Sequence, residues 1–357
     1  MKPRATFQNL PPFELSSVTD PDGEELLQLS KNESMHGVAP GVADYLRQNV
    51  LNPSLYPDHD FTSLRHTIAQ THGLDPERVW CGAGSTTLLY FLATLYLEAG
   101  RSAVSSQYGY QYFQMATKLN DGQANIALES DLTVSVDNIL AAVRPDTSMI
   151  FLANPGNPTG TYLPRAEIER LRDNLPDDVL LLLDEAYSEY VDEERYSANF
   201  DLADRGNTAI VRTFSKVYGL AGMRVGWGYF PEETMQLIRQ VKIPNAVSSL
   251  STAAAEIAMV DQAHVARVRA LNRVAREQFT DQLEELGLAP IRSQTSFVLC
   301  KFASAAEAKD CYAFLRNEGI VIRPMGMYDL NDHLRFSIGT AEQMDRVAHA
   351  LAAWRSQ

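Results

Sequence analysis

Three apolar runs in this chain each hand over to a reactive polar group. Met149 to Ala153 leads into Asn154-Pro155-Gly156-Asn157-Pro158. Val179 to Leu183 ends at Asp184, with Tyr187 three residues on. Thr208 to Arg212 is followed by Ser215 and Lys216. Ligands of open α/β sheets bind beyond the carboxyl ends of the strands, so these runs can offer an amide, a carboxylate, a phenol and an amine to one crevice. A lysine amine forms a Schiff base with an aldehyde. A carboxylate facing a ring nitrogen keeps that nitrogen protonated and makes the ring an electron sink. Tyr187 and Asn157 can hydrogen-bond a ring hydroxyl. Gly84, Ser85 and Thr86, at a strand-to-helix turn, suit a phosphate at a helix N-terminus, and Arg224 can add a forked, charge-assisted contact. The combined chemistry is that of a phosphorylated pyridine aldehyde. Read singly, each group has an ordinary role: Lys216 as a solvated surface residue, Asp184 as a helix cap, Gly82 to Ser85 and Asn154 to Pro158 as turns. Order and combination carry the argument.

The elements that must position these groups follow from pattern. Thr62 to His72 has apolar residues spaced for one helix face. Val79 to Cys81 is a short strand, Thr86 to Glu98 a helix ended by Gly100, Ser102 to Ser105 a strand and Tyr110 to Leu119 a helix. The five consecutive apolar residues Val179 to Leu183 mark a strand buried on both faces. This alternation predicts βαβ units and a mostly parallel sheet flanked by helices. Leu250 to Phe279 has no Pro or Gly and reads as one long helix joining a large unit to a smaller α+β unit of strand (Ser296 to Lys301), helix (Ala305 to Glu318) and strands (Ile320 to Arg323, His333 to Ile338). The expected division is an N-terminal arm with part of the small domain over 1–40, a large domain over 41–245 and a small domain over 246–357.

Composition bounds the function. The 357 residues are 45% hydrophobic and 21% charged, as in a folded globular protein. A formal net charge of −14 opposes polyanionic partners, so nucleic acid is not expected. The three cysteines form no CxxC pair and read as reduced, at cytoplasmic redox poise. The N-terminus lacks the apolar stretch of a signal peptide, and no run reaches the ~18 residues of a membrane span. A cytoplasmic enzyme with small-molecule substrates is expected, with no metal.

On the motifs Asn154-Pro155-Gly156-Asn157-Pro158-Thr159-Gly160, Asp184-Glu185-Ala186-Tyr187 and Thr213-Phe214-Ser215-Lys216, running on to Leu220-Ala221-Gly222-Met223-Arg224-Val225-Gly226, the chain resembles the fold-type I aminotransferases. Among these it is most similar to the histidinol-phosphate aminotransferase branch. The resemblance spans Leu29 to beyond Gly339. It implies pyridoxal 5′-phosphate (PLP) as cofactor, carried on Lys216, which also moves the proton at the substrate Cα. It places Asp184 at the pyridinium nitrogen, Tyr187 and Asn157 at the ring oxygen, and Gly84, Ser85, Thr86, Ser215 and Arg224 at the phosphate. It assigns Tyr108 to stacking on the ring, and Tyr56 to reaching the phosphate of a neighbouring subunit, hence a homodimer. Arg335 would bind the substrate's anionic group, with Arg323 as a second candidate. From pattern alone Arg335, on the polar face of an alternating strand, also suits a solvated edge.

The resemblance implies transamination between an amino donor with an anionic group and a keto acid, histidinol phosphate with 2-oxoglutarate first. An aromatic amino acid transaminase and a PLP-dependent lyase or decarboxylase on the same scaffold are the alternatives. The chain departs from the branch at Pro12-Phe13, where a Pro-Tyr is usual, at Ser106-Gln107, at Thr86-Thr87 and at Asn32-Glu33-Ser34-Met35.

Overall fold

A computed structural model describes residues 26–49, 54–192 and 194–357. Phe13 and most of the expected N-terminal arm lie outside them. The strands are β1 (Leu27–Gln28), β2 (Val79–Gly82), β3 (Ser102–Ser106), β4 (Gln123–Ala127), β5 (Thr147–Ala153), β6 (Leu180–Asp184), β7 (Thr208–Thr213), β8 (Gly226–Tyr229), β9 (Ala289–Ile291), β10 (Phe297–Lys301), β11 (Ile320–Val321), β12 (Arg323–Met325) and β13 (Leu330–Ser337).

Seven of them form one sheet in the order β2-β8-β7-β6-β5-β3-β4. Strands β3 to β7 run parallel, and β8 is antiparallel to both its neighbours, β2 and β7. Two reversals across β8 leave β2 pointing the same way as β7. The carboxyl ends of β2, β7, β6, β5 and β3 therefore share one edge. The register is tight there: Ala153 lies beside Asp184, and Asp184 beside Val211. Every residue of β6, four leucines and Asp184, is buried, as expected of a central strand covered by helices on both faces. The mostly parallel α/β sheet with a smaller α+β unit is the architecture expected from the sequence.

The second sheet is antiparallel, in the order β12-β13-β10-β9, and β1 pairs in parallel with β11. Val298, Cys300, Leu334 and Phe336 from this sheet pack with Phe279, Leu283 and Leu29 into a core of their own. Leu29 thus belongs to the second core, whereas Ala39 and Val42 belong to the first. The segment between them crosses from one to the other.

Two expectations are corrected. Leu250 to Phe279 is not one helix. It is split into Ser249–Val260 and Gln262–Glu285. Asp261 stands between them, its side chain accepting from the backbone N–H of His264 at 2.9 Å, the hydrogen bond by which Asp starts a helix. The change of core also falls later than residue 245. Val247, Ala254, Ala258, Val265 and Val268 pack into the first core, and Ala275 and Phe279 into the second. The transition lies inside the helix Gln262–Glu285, where a continuous backbone carries its apolar stripe from one core to the other. Strands β4 and β8 escaped the sequence reading. Gln123–Ala127 is a partly exposed edge strand with little apolar signal, and Gly226–Tyr229 has two glycines among its four residues.

Candidate active site

The aligned strand ends open onto a cavity of about 550 Å³, within the usual range for small-molecule sites. From β6 comes Asp184, 5% exposed. Burial pushes its carboxyl up from 3.8 to about 7, against the opposing pull of the Ala186 N–H, 3.1 Å away, and of the Lys216 charge. An ionised carboxylate in this position calls for a cationic partner. Tyr187 follows in the same turn, and its ring meets Phe297 edge-on. Just beyond β7, Lys216 directs its Nζ to the carbonyls of Asn32 and Lys31 at 3.2 and 3.3 Å. The ammonium lies 5.5 Å from the centre of the Tyr187 ring.

At the end of β2 the helix Ser85–Tyr96 starts from Gly84 without a side-chain cap. Its first N–H groups are thereby free of the usual local acceptor and, with the helix dipole, favour an anion. Gly84 has φ +90°, and a Cβ there would stand 2.4 Å from the Arg224 guanidinium; only glycine lets that arginine lie across the turn. Gly226 is required for a similar reason, since its Cβ would fall 2.3 Å from the backbone nitrogen of Ser85. Arg224 donates to Ser215 Oγ at 3.3 Å and to the Ala221 carbonyl at 2.9 Å. Ser85, Thr86, Ser215 and Arg224 thus line the cavity together with Asp184 and Lys216.

The opposite wall comes from β12 and β13. Arg335 is buried and donates to Asn157 Oδ1 at 2.6 Å and to the Ser30 carbonyl at 3.0 Å. Its guanidinium carbon is 5.0 Å from the centre of the Phe297 ring, and its Nε has no hydrogen-bond partner. Burial lowers its pKa. A buried guanidinium with a donor to spare is suited to a bidentate anion. Arg323 lines the same cavity and donates to Met327 Sδ at 3.3 Å.

Tyr108 is not among the residues that line the cavity. The N–H of Gly109 closes a turn on the Ser106 carbonyl, and Tyr108 leaves that turn toward Leu299, Met325 and Leu330, its own N–H bonded to Glu129. Tyr110 lines the cavity, as do Tyr112, Tyr187 and Tyr328, and its hydroxyl is 3.3 Å from Thr86 Oγ1. Tyr56 is 86% exposed and lines no part of this cavity. Sequence reasoning also missed Asn32, which lies between Tyr187, Lys216 and β13. The segment Asn32-Glu33-Ser34-Met35 stands where the branch has a motif, but it does not reveal these contacts, because the partners are 155 or more residues away. It missed the buried pair of Glu185 with Arg212 as well, 2.7 Å apart on β6's exit and β7, whose signal was a charged residue inside each of two strongly apolar segments.

A deep carboxylate, an amine, an uncapped helix start beside an arginine, and a flat aromatic fit a phosphorylated pyridine aldehyde. Among the described residues no group of His, Cys, Asp and Glu could hold a metal ion, and no helix is long and apolar enough to cross a membrane.

With this geometry in hand, comparison with known proteins settles the class. Residues 24–351 match the family "Aminotransferase class I and II"; the chain belongs to that family and is an aminotransferase. Within it, the chain is 40% identical to the histidinol-phosphate aminotransferase of Nitrobacter hamburgensis, over 94% of this chain and 93% of that protein. It is 39% identical to the histidinol-phosphate aminotransferase of Paramagnetospirillum magneticum, over 98% and 97%. The crystal structure of the Sinorhizobium meliloti histidinol-phosphate aminotransferase in complex with pyridoxal-5′-phosphate superposes with a TM-score of 0.88 at 31% identity, covering 92% of this chain and 91% of that one. The fold is that of the fold-type I PLP-dependent aminotransferases.

Proposed function

We propose that this chain carries PLP on Lys216 and transfers an amino group between histidinol phosphate and a keto acid such as 2-oxoglutarate. The observation that carries the reading is the meeting of the Lys216 amine with the buried Asp184 carboxylate in a cavity that Arg224 and Arg335 also line. The relatives' shared name supports the substrate. Bound there, the cofactor supplies an electron sink for the charge that develops when a Cα–H bond breaks. Asp184 holds a proton on the ring nitrogen. Asn157 and Tyr187 bind the ring oxygen, and Tyr110 covers the ring face. Gly84, Ser85, Thr86, Ser215 and Arg224 bind the phosphate and keep the cofactor in place while Lys216 is free. Lys216 then takes the proton from the substrate Cα and returns it on the other side of the transfer. Arg335 holds the substrate's anion and fixes its orientation, with Arg323, which lines the same cavity, as a second candidate for that anion.

The test is glutamate formation from histidinol phosphate and 2-oxoglutarate, with L-phenylalanine as competing donor and threonine phosphate as a decarboxylation substrate. A preference for histidinol phosphate of about tenfold or more in kcat/KM, equivalent to roughly 1.4 kcal/mol, supports the proposal. Carbon dioxide release without glutamate overturns it. We further propose a cytoplasmic homodimer in which Tyr56 enters the partner's site. The exposure of Tyr56 and of neighbouring Leu55 and three unpaired cysteines support this. Mixing Tyr56→Ala and Lys216→Ala proteins is expected to restore activity in hybrid dimers, and a fully active monomer in sedimentation would refute it.

A further inference from the structure

Asn32 has no place in the chemistry described so far, yet it is 2% exposed and touches three parts of the site. Its backbone is in the left-handed region, at φ 56°, which Asn tolerates better than most residues. Its carbonyl accepts from Lys216 Nζ at 3.2 Å. Its N–H donates to Ser337 Oγ at 2.9 Å, and the Ser337 hydroxyl donates back to Asn32 Oδ1 at 3.0 Å. Its Nδ2 then donates to the hydroxyl oxygen of Tyr187 at 2.9 Å.

The orientation of this amide decides where the Tyr187 proton goes. A carboxamide has two donors on one side and an acceptor on the other, and which is which follows from the network. With Oδ1 toward Ser337, every group is used: the serine hydroxyl accepts from the backbone N–H and donates to Oδ1. With the amide turned over, the buried serine would receive two N–H donors and lose the acceptor for its own hydrogen, an unfavourable state for a buried hydroxyl. Ser337 thus holds the amide with its NH₂ toward Tyr187. The Tyr187 oxygen is an acceptor in that contact, so its own O–H hydrogen must point elsewhere, and the cavity is the remaining side.

We propose that Asn32, held by Ser337, is a positioning residue that fixes the Tyr187 hydroxyl as a hydrogen-bond donor into the cofactor cavity. A phenol that already accepts a hydrogen bond is also a stronger donor. Because Ser337 ends β13, the strand that carries Arg335, the same contact ties the substrate-binding strand to the phenol that tunes the cofactor. The inference rests on the proposed PLP reading, with Tyr187 at the ring oxygen.

The test is a spectroscopic pH titration of the visible absorption band of the holoenzyme. In Asn32→Asp both side-chain oxygens accept, so Tyr187 turns its proton toward residue 32 and no longer donates into the cavity. Asp also tolerates the left-handed backbone. The apparent pKa of the band is expected to rise by about one unit or more, the size of a lost hydrogen bond to a charged group. The added negative charge alone would also raise it, so the titration is repeated in a Tyr187→Phe background. The proposal expects the rise there to be less than half as large; an equal rise, or none in either background, overturns it. Neutron diffraction on the wild-type holoenzyme gives an answer that needs no variant: deuterium on the Tyr187 oxygen directed at Asn32 overturns the proposal, and deuterium directed into the cavity supports it. Absence of any visible band after adding PLP would instead defeat the underlying cofactor reading.

Discussion

The two walls of the cavity are built in different ways. The wall formed by β5, β6 and β7 takes its polar groups from residues that follow apolar strands within a few positions: Asn157, Asp184, Lys216. The facing wall is assembled from Ser30, Asn32, Arg323 and Arg335, drawn from both ends of the chain and linked by contacts such as Arg335 to the Ser30 carbonyl, 305 residues apart. The first wall is fixed by parallel strand register, which sets neighbouring strand ends at one level whatever lies beyond them. The second is held by side-chain hydrogen bonds between the segment after Leu29 and β13, which are far apart in the chain but pack into the same second core. The strand-end wall is therefore suited to bond-making groups that must not move, and the facing wall to substrate selection.

The sharpest test of that division is Lys216→Ala. Loss of the amine removes both the attachment point and the proton carrier, and turnover is expected to fall by roughly 10⁴-fold or more. Borohydride reduction of the wild type followed by mass mapping should label Lys216; a label elsewhere would break the assignment.

Asp184 gives a pH signature. Its folded value of about 7 stands above the ordinary 3.8. The unfolded chain therefore loses this proton first as pH rises. Between about pH 4 and 7 the unfolded state binds fewer protons than the cofactor-free folded state, so stability declines across that window, by about 4 kcal/mol as an order of magnitude. A ring cation beside Asp184 removes the penalty. The gain in Tm on adding PLP is thus expected to widen from pH 4 to pH 7 and to level off above. In Asp184→Asn the gain should be flat with pH, and turnover should drop by about 100-fold, as for other lost electrostatic stabilisers. A wild-type gain that does not change with pH would show that Asp184 does not face the cofactor's charge.

On the facing wall, Arg335→Ala is expected to lower kcat/KM for anionic donors by about 10- to 100-fold, the worth of one or two charge-assisted hydrogen bonds. Arg323→Ala should act on the more highly charged anion, raising KM for histidinol phosphate, whose phosphate monoester carries up to two charges, more than for phenylalanine, whose carboxylate carries one. Equal effects of Arg323→Ala on both donors would mean that it supports the wall and does not contact the phosphate.

The difference between the walls also explains what could be read from sequence. Asp184, Tyr187, Lys216 and Arg224 stand in short motifs whose spacing is set by one strand and one turn, so local pattern reaches them. The helix Thr62–His72 was legible for the same reason, its apolar face repeating within 11 residues. Asn32 was not, because nothing near it in the chain predicts that Ser337 and Tyr187 will meet there. The break at Asp261 was hidden because no Pro or Gly marks it and a single capping hydrogen bond decides it.

Tyr108 and Tyr110 mark the limit of local reading even on the strand-end wall. Both follow β3, they are two residues apart, and in an extended chain they would face the same side. The turn closed by Gly109 on Ser106 breaks that alternation, sending Tyr108 toward Met325 and Leu330 and leaving Tyr110 in the cavity beside Thr86. Gly109 is well chosen for the turn, since a Cβ there would crowd the Ser106 side chain and carbonyl at 3.0 and 3.1 Å. An aromatic face against a flat ring contributes about 0.5–1.5 kcal/mol. Tyr110→Ala is therefore expected to weaken PLP binding by about 3- to 10-fold, while Tyr110→Phe, which keeps the ring and loses only the contact with Thr86, should stay near wild type. Tyr108→Ala should leave PLP affinity nearly unchanged and lower Tm instead, because it opens a gap beside Leu299 and Met325. Equilibrium titration of the apoenzyme with PLP, paired with thermal melts of the three variants, separates the two tyrosines; a loss of affinity confined to Tyr108→Ala would return the stacking role to that residue.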